Sequence, residues 1–226
     1  MKEKLLAGAV IAAAAAGTIA VADAGNPAEQ LKMQQMVYQE EKGASLPYCQ
    51  AVEGKNQPGK YSLILFLHGA GERGTDNQAQ LKHGVTQMLD YIRKHGEKVV
   101  VIVPQCPAGK QWVDTPWSAT SHTIPEQPSV PMAMVMKLLD AKIKEFNVDE
   151  KRLYVTGISM GGYGTWDLIS RQPDRFAAAI PVCGGALEES SVERLPRRQR
   201  YNGPDHSLPE HGEGSERCRQ QECDLS

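Results

Sequence analysis

The chain has 226 residues and a formal net charge of −2. That length suffices for one α/β domain with its own core, and the scattered, nearly balanced charge excludes a nucleic-acid-binding stripe. Five cysteines (Cys49, Cys106, Cys183, Cys218 and Cys223) show neither Cys-x-x-Cys nor zinc spacing, so no metal or other cofactor is expected. The odd count leaves at least one thiol unpaired. Cys106 and Cys183, each beside a predicted strand end, are expected to be buried free thiols.

Residues 1–24 read as a secretory signal peptide. Lys2 and Lys4 charge its start, an alanine-rich apolar run follows, and Ala20-Val21-Ala22 or Ala22-Asp23-Ala24 offers a small-x-small cleavage site. The competing reading, an uncleaved membrane anchor, suits a short, mostly alanine run poorly. The expected location is therefore secreted or periplasmic, with no stable membrane insertion once the signal is removed. Residues 25–190 are expected to form the folded domain.

Residues 27–60 hold an amphipathic stretch, a strand near 36–40 and a turn-rich loop at 54–60. The apolar run of residues 61–67, Tyr-Ser-Leu-Ile-Leu-Phe-Leu, suits a central parallel strand buried on both faces. It ends in His68-Gly69-Ala70-Gly71-Glu72-Arg73-Gly74, where backbone N–H groups can approach a ligand. Residues 78–96 read as a helix closed by His95-Gly96. The next buried strand is 98–103, stopped by Pro104. A long proline-punctuated loop, 105–131, carries Trp112, Trp117 and His122, and its tryptophans either line a pocket or cap the core. Residues 132–147 form a helix whose stripe of Met132, Val135, Met136, Leu139 and Ile143 packs on the sheet.

The most informative stretch is 152–166. A β-rich run, 153–156, stops at Gly157, and Ser159 stands in Gly157-Ile158-Ser159-Met160-Gly161 with a helix to about residue 172 behind it. Strand, sharp turn and helix with serine at the turn is the nucleophile-elbow pattern. The helix start supplies N–H groups and a positive dipole end where an oxyanion can form. The donors are expected to be the N–H of Met160 and that of Ala70, with Gly71 the alternative. His68 precedes the nucleophile at a strand end and reads as structural. A last strand is expected at 177–182, before Cys183-Gly184-Gly185.

With these residues placed, the chain resembles the α/β-hydrolase superfamily, and within it the secreted bacterial carboxylesterases and "predicted peptidases" related to feruloyl and polyhydroxyalkanoate esterases. The resemblance rests on residues 67–74, Gln80-Leu81-Lys82-His83-Gly84, Pro104-Gln105-Cys106-Pro107, residues 156–166, Arg171-Gln172-Pro173-Asp174-Arg175-Phe176-Ala177 and Pro181-Val182-Cys183-Gly184-Gly185. It implies a mostly parallel sheet with helices on both faces. It also implies a serine hydrolase that cleaves carboxylic esters through an acyl-enzyme on Ser159, with a Ser…Asp…His triad in that chain order. The substrate would be a small-molecule or polysaccharide-linked ester; a serine peptidase of the same fold is the alternative.

The family pattern breaks near residue 190. Residues 191–226 are rich in Arg, Glu, Gln, Pro and Gly, show no strand and read as a disordered tail. The domain is thus expected to lack its last strands. Asp205 with Leu208-Pro209 only faintly imitates the family's Asp-x-x-Val-Pro. His206 and His211, the only histidines after Ser159, sit too close to Asp205 for a convincing base. Read one base later with permitted codons, residues 207–224 can encode a helix, a glycine cap and a strand start. A shifted reading frame would then carry the missing Asp and His, and the chain as written would be a catalytically impaired hydrolase remnant.

Overall fold

The computed structural model describes residues 26–40, 43–117 and 124–185. The expected signal peptide, the tail 191–226, His122, Asp205, His206 and His211 lie outside them. Asn26 caps α1 (Pro27–Gln30), its Oδ1 accepting the Ala28 N–H at 2.9 Å. Pro27 fits the first turn, where an N–H has no helical partner anyway.

Six strands form one sheet in the order β1-β2-β4-β3-β5-β6. β1 (Gln34–Gln39) and β2 (Ser45–Glu53) pair antiparallel with each other, and β2 pairs antiparallel with β4 (Val99–Pro104). β4, β3 (Tyr61–Leu67), β5 (Val148–Ile158) and β6 (Ala178–Val182) run parallel. Every residue of β4 is buried, because alternate side chains enter two cores. Val99, Val101 and Val103 pack with Val85, Leu89 and Ile92 of α2 (Val85–His95). Val100 and Ile102 join Leu63 and Leu65 against α3 (Val130–Glu145) and α4 (Met160–Arg171). Helices thus cover both faces, as the resemblance implied. The α3 stripe holds: Met132, Val135 and Leu139 are buried, and Met136 and Ile143 pack against the same core.

Several elements differ from the sequence reading. β2 went unseen because Pro47 interrupts its apolar pattern; its conformation is set by pairing with neighbouring β1, Val37 opposite Pro47, and with sequence-distant β4, Val103 opposite Cys49. The helix expected over 78–96 splits into a 3₁₀ turn (Ala79–Leu81) and α2. Gly84, at φ 79°, sits between them, and a right-handed helix cannot run through that conformation. Gly96 closes α2 in the left-handed region, as expected. β5 is longer than its apolar run: Val148 at its start pairs with Tyr61 of β3, and Gly157 near its end pairs with both Leu67 and Pro181. Cys106 is buried, whereas Cys183 is exposed: it follows the last residue of β6, where the chain turns at φ 53°.

Candidate active site

Leu67, the last residue of β3, pairs with Gly157 near the end of β5. The segments leaving these two parallel strands therefore emerge side by side at the carboxyl edge of the sheet, the usual ligand edge of such folds. Ser159 leaves β5 at φ 53° and ψ −117° and is the N-cap of α4. An L-residue pays in strain for that conformation. Close packing enforces it: a Cβ on Gly157 would stand 2.3 Å from the Gly161 carbonyl oxygen, and one on Gly161 would stand 1.9 Å from that of Leu67. The Ser159 N–H donates to the Val182 carbonyl at 2.8 Å, tying the turn to β6. Met160 opens α4, so the helix offers its N–H no carbonyl one turn back.

The loop after β3 meets this turn. A Cβ placed on Gly69 would lie 3.7 Å from Ser159 Cβ, and Ala70 begins a 3₁₀ turn (Ala70–Glu72) directly after it. Ser159, Met160 and the Gly69–Ala70 segment thus converge. His68 pins the loop from beneath. Its Nε2 accepts the Cys106 N–H at 2.9 Å, so the proton resides on Nδ1, which donates to the Gly69 carbonyl at 2.6 Å. Trp112 meets the His68 ring edge-on at 5.2 Å, and its indole N–H donates to the His68 carbonyl at 3.0 Å. Burial pushes the His68 pKa down to about 4, with the nearby Arg73 charge adding to the effect. A neutral histidine with both nitrogens engaged holds a loop and is not poised to take a proton from serine.

The sequence reading quoted Gln80 and Gln105 without assigning them a task. Gln105 Oε1 accepts the Asn77 N–H at 2.7 Å, and its amide donates to the Glu72 carbonyl and to Asp76, each at 3.1 Å. Gln80 donates to Asn77 Oδ1 at 2.6 Å, and the Asn77 amide donates to the carbonyls of Met36 and Tyr48. This buried network fastens the 69–81 loop to β1, β2 and the end of β4. Polar residues in a glycine-rich loop were the only signal for it. Glu72 was also missed: its carboxylate is 3.5 Å from His83 Nε2, and one oxygen lies 2.9 Å from the Gly69 Cβ position. The two tryptophans of the long loop divide: Trp112 is fully buried and caps the core, while Trp117 is 38% exposed.

Residues 47–201 match the phospholipase/carboxylesterase family, about two thirds of the chain. The chain belongs to this family. It is 29% identical to acetylxylan esterase A of Emericella nidulans over 155 residues, which is 66% of this chain and 47% of that protein. It is also 29% identical, over 162 residues, to the bifunctional acetylxylan esterase/xylanase XynS20E of Neocallimastix patriciarum, covering 70% of this chain and 21% of that one. The crystal structure of a thermostable esterase superposes with a TM-score of 0.63 at 39% identity, over 72% of this chain and 44% of the other. The chain thus spans less than half the length of these relatives, which are carboxylic ester hydrolases. Among the described residues, no helix is long and apolar enough to cross a membrane.

Proposed function

We propose that this chain hydrolyses carboxylic esters through an acyl-enzyme on Ser159, with residues 25–190 as its catalytic domain. Ser159 Oγ attacks the ester carbonyl carbon as its proton passes to a base. The N–H groups of Ala70 and Met160 donate to the oxyanion of the tetrahedral intermediate. Collapse releases the alcohol and leaves an ester on Ser159; water then attacks that ester and frees the acid. The family resemblance implies a histidine as base, and His68 is engaged elsewhere. The observation that carries the reading is the strained Ser159 turn at the start of α4, with the Gly69–Ala70 loop against it. The esterase relatives support a substrate that is a small-molecule or polysaccharide-linked ester.

The test is hydrolysis of a p-nitrophenyl acetate-to-butyrate series by the full chain beside Ser159→Ala. Loss of turnover by about a thousandfold or more in the variant is expected. Equal rates for the two proteins would overturn the proposal.

A further inference from the structure

We propose that Trp117 and Arg73 form a saccharide-binding subsite for the alcohol side of the ester, an inference that deepens the esterase reading and rests on it. Trp117 keeps 38% of its surface exposed, whereas Trp112, five residues earlier, is wholly buried. The Trp117 ring has Arg73 beside it. The Arg73 guanidinium carbon lies 5.9 Å from its ring centroid, within cation–π range. Arg73 is itself fixed, its Nε donating to the Ala70 carbonyl at 2.8 Å and its Nη1 to the Lys110 carbonyl at 3.3 Å. Ala70 is the residue whose N–H faces the oxyanion in the proposed reaction. The exposed indole is thus joined through one guanidinium to the loop that would hold the reacting carbonyl.

The chemistry of this pair selects its ligand. A pyranose ring has an apolar C–H face and a rim of hydroxyls. The electron-rich indole face attracts the C–H groups, and a guanidinium carries five N–H donors in a planar fork suited to oxygen acceptors. A small acyl group would instead call for an enclosed pocket that covers most of its surface. Trp117 is open to solvent, which suits a polymer that runs past it and stays largely hydrated.

The experiment is a calorimetric titration of the full chain with unsubstituted xylotetraose, which needs no turnover. Saturable binding is expected, weakened about tenfold or more in Trp117→Ala and restored within about threefold in Trp117→Tyr. In parallel, the ratio of kcat/KM for acetylated xylotetraose to that for p-nitrophenyl acetate should fall about tenfold in Trp117→Ala. No saturable binding by the unaltered chain, or equal binding by Trp117→Ala, would overturn the subsite. So would a chain that binds free ferulate through Trp117 but not the oligosaccharide. The two proposals fail separately. Oligosaccharide binding without hydrolysis of either ester sinks the acyl-enzyme reading alone, and hydrolysis of p-nitrophenyl acetate without oligosaccharide binding sinks the subsite alone.

Discussion

The backbone N–H of Cys106 donates to Nε2 of His68 across 2.9 Å, joining the end of β4 to the loop that meets Ser159. Protonation of His68 would turn that acceptor into a donor facing a donor. Folding buries the ring, which is the main cause favouring its neutral form, and the pKa falls from 6.5 in the unfolded chain to about 4. The unfolded state binds the extra proton, so this contribution is complete above pH 6.5, declines below it and is gone as pH drops through about 4. It amounts to about 3 kcal/mol, since each tenfold change in proton affinity corresponds to about 1.4 kcal/mol. Urea unfolding at pH 7 and pH 4.5 should show the loss. His68→Gln should lower stability at pH 7 and flatten the difference; an unchanged slope would count against the assignment.

Glycine is required at the turn for steric reasons that differ from site to site. Gly161→Ala places a methyl 1.9 Å from a backbone oxygen of β3, and that backbone cannot move without parting the central strands. A loss of more than about 3 kcal/mol is expected. Gly71 has nothing within 4 Å of its Cβ position and no positive φ, so Gly71→Ala should stay within about 0.5 kcal/mol of the parent. Denaturant midpoints measured side by side decide the point.

Ser159 stores strain that a glycine would not. At φ 53° and ψ −117° an L side chain crowds its own backbone. Ser159→Gly should therefore be more stable than Ser159→Ala by about 1 kcal/mol, although both remove the hydroxyl. Thermal melts of the two variants test this, and equal melting points would show that the turn is relaxed.

Burial pushes the thiols of Cys49 and Cys106 up to about 12, so neither forms much thiolate at neutral pH. Cys183 is exposed. Brief iodoacetamide treatment of the native protein, followed by peptide mapping, should label Cys183 and spare the other two. Labelling of Cys106 at a similar rate would mean that the loop over β4 opens readily.

What the residues alone determined is whatever depends on near neighbours in the chain. The apolar run of β3, the α3 stripe, the Gly96 cap and the glycine-flanked Ser159 were all legible, because period, capping and turn sterics act over a few positions. The pairing of β2 was not, since a strand containing Pro47 is stabilised by β1 and β4 and not by its own pattern. Nor could sequence distinguish Trp112 from Trp117. Both sit in one polar, proline-rich loop; the first is buried because α4 presents Gly164 to it, the second is exposed beside Arg73. The engagement of both His68 nitrogens likewise needed Cys106, thirty-eight residues away, to be brought to it by the parallel pairing of β3 with β4. Tertiary structure decides these matters because burial and hydrogen-bond partners come from segments that only the folded sheet brings together.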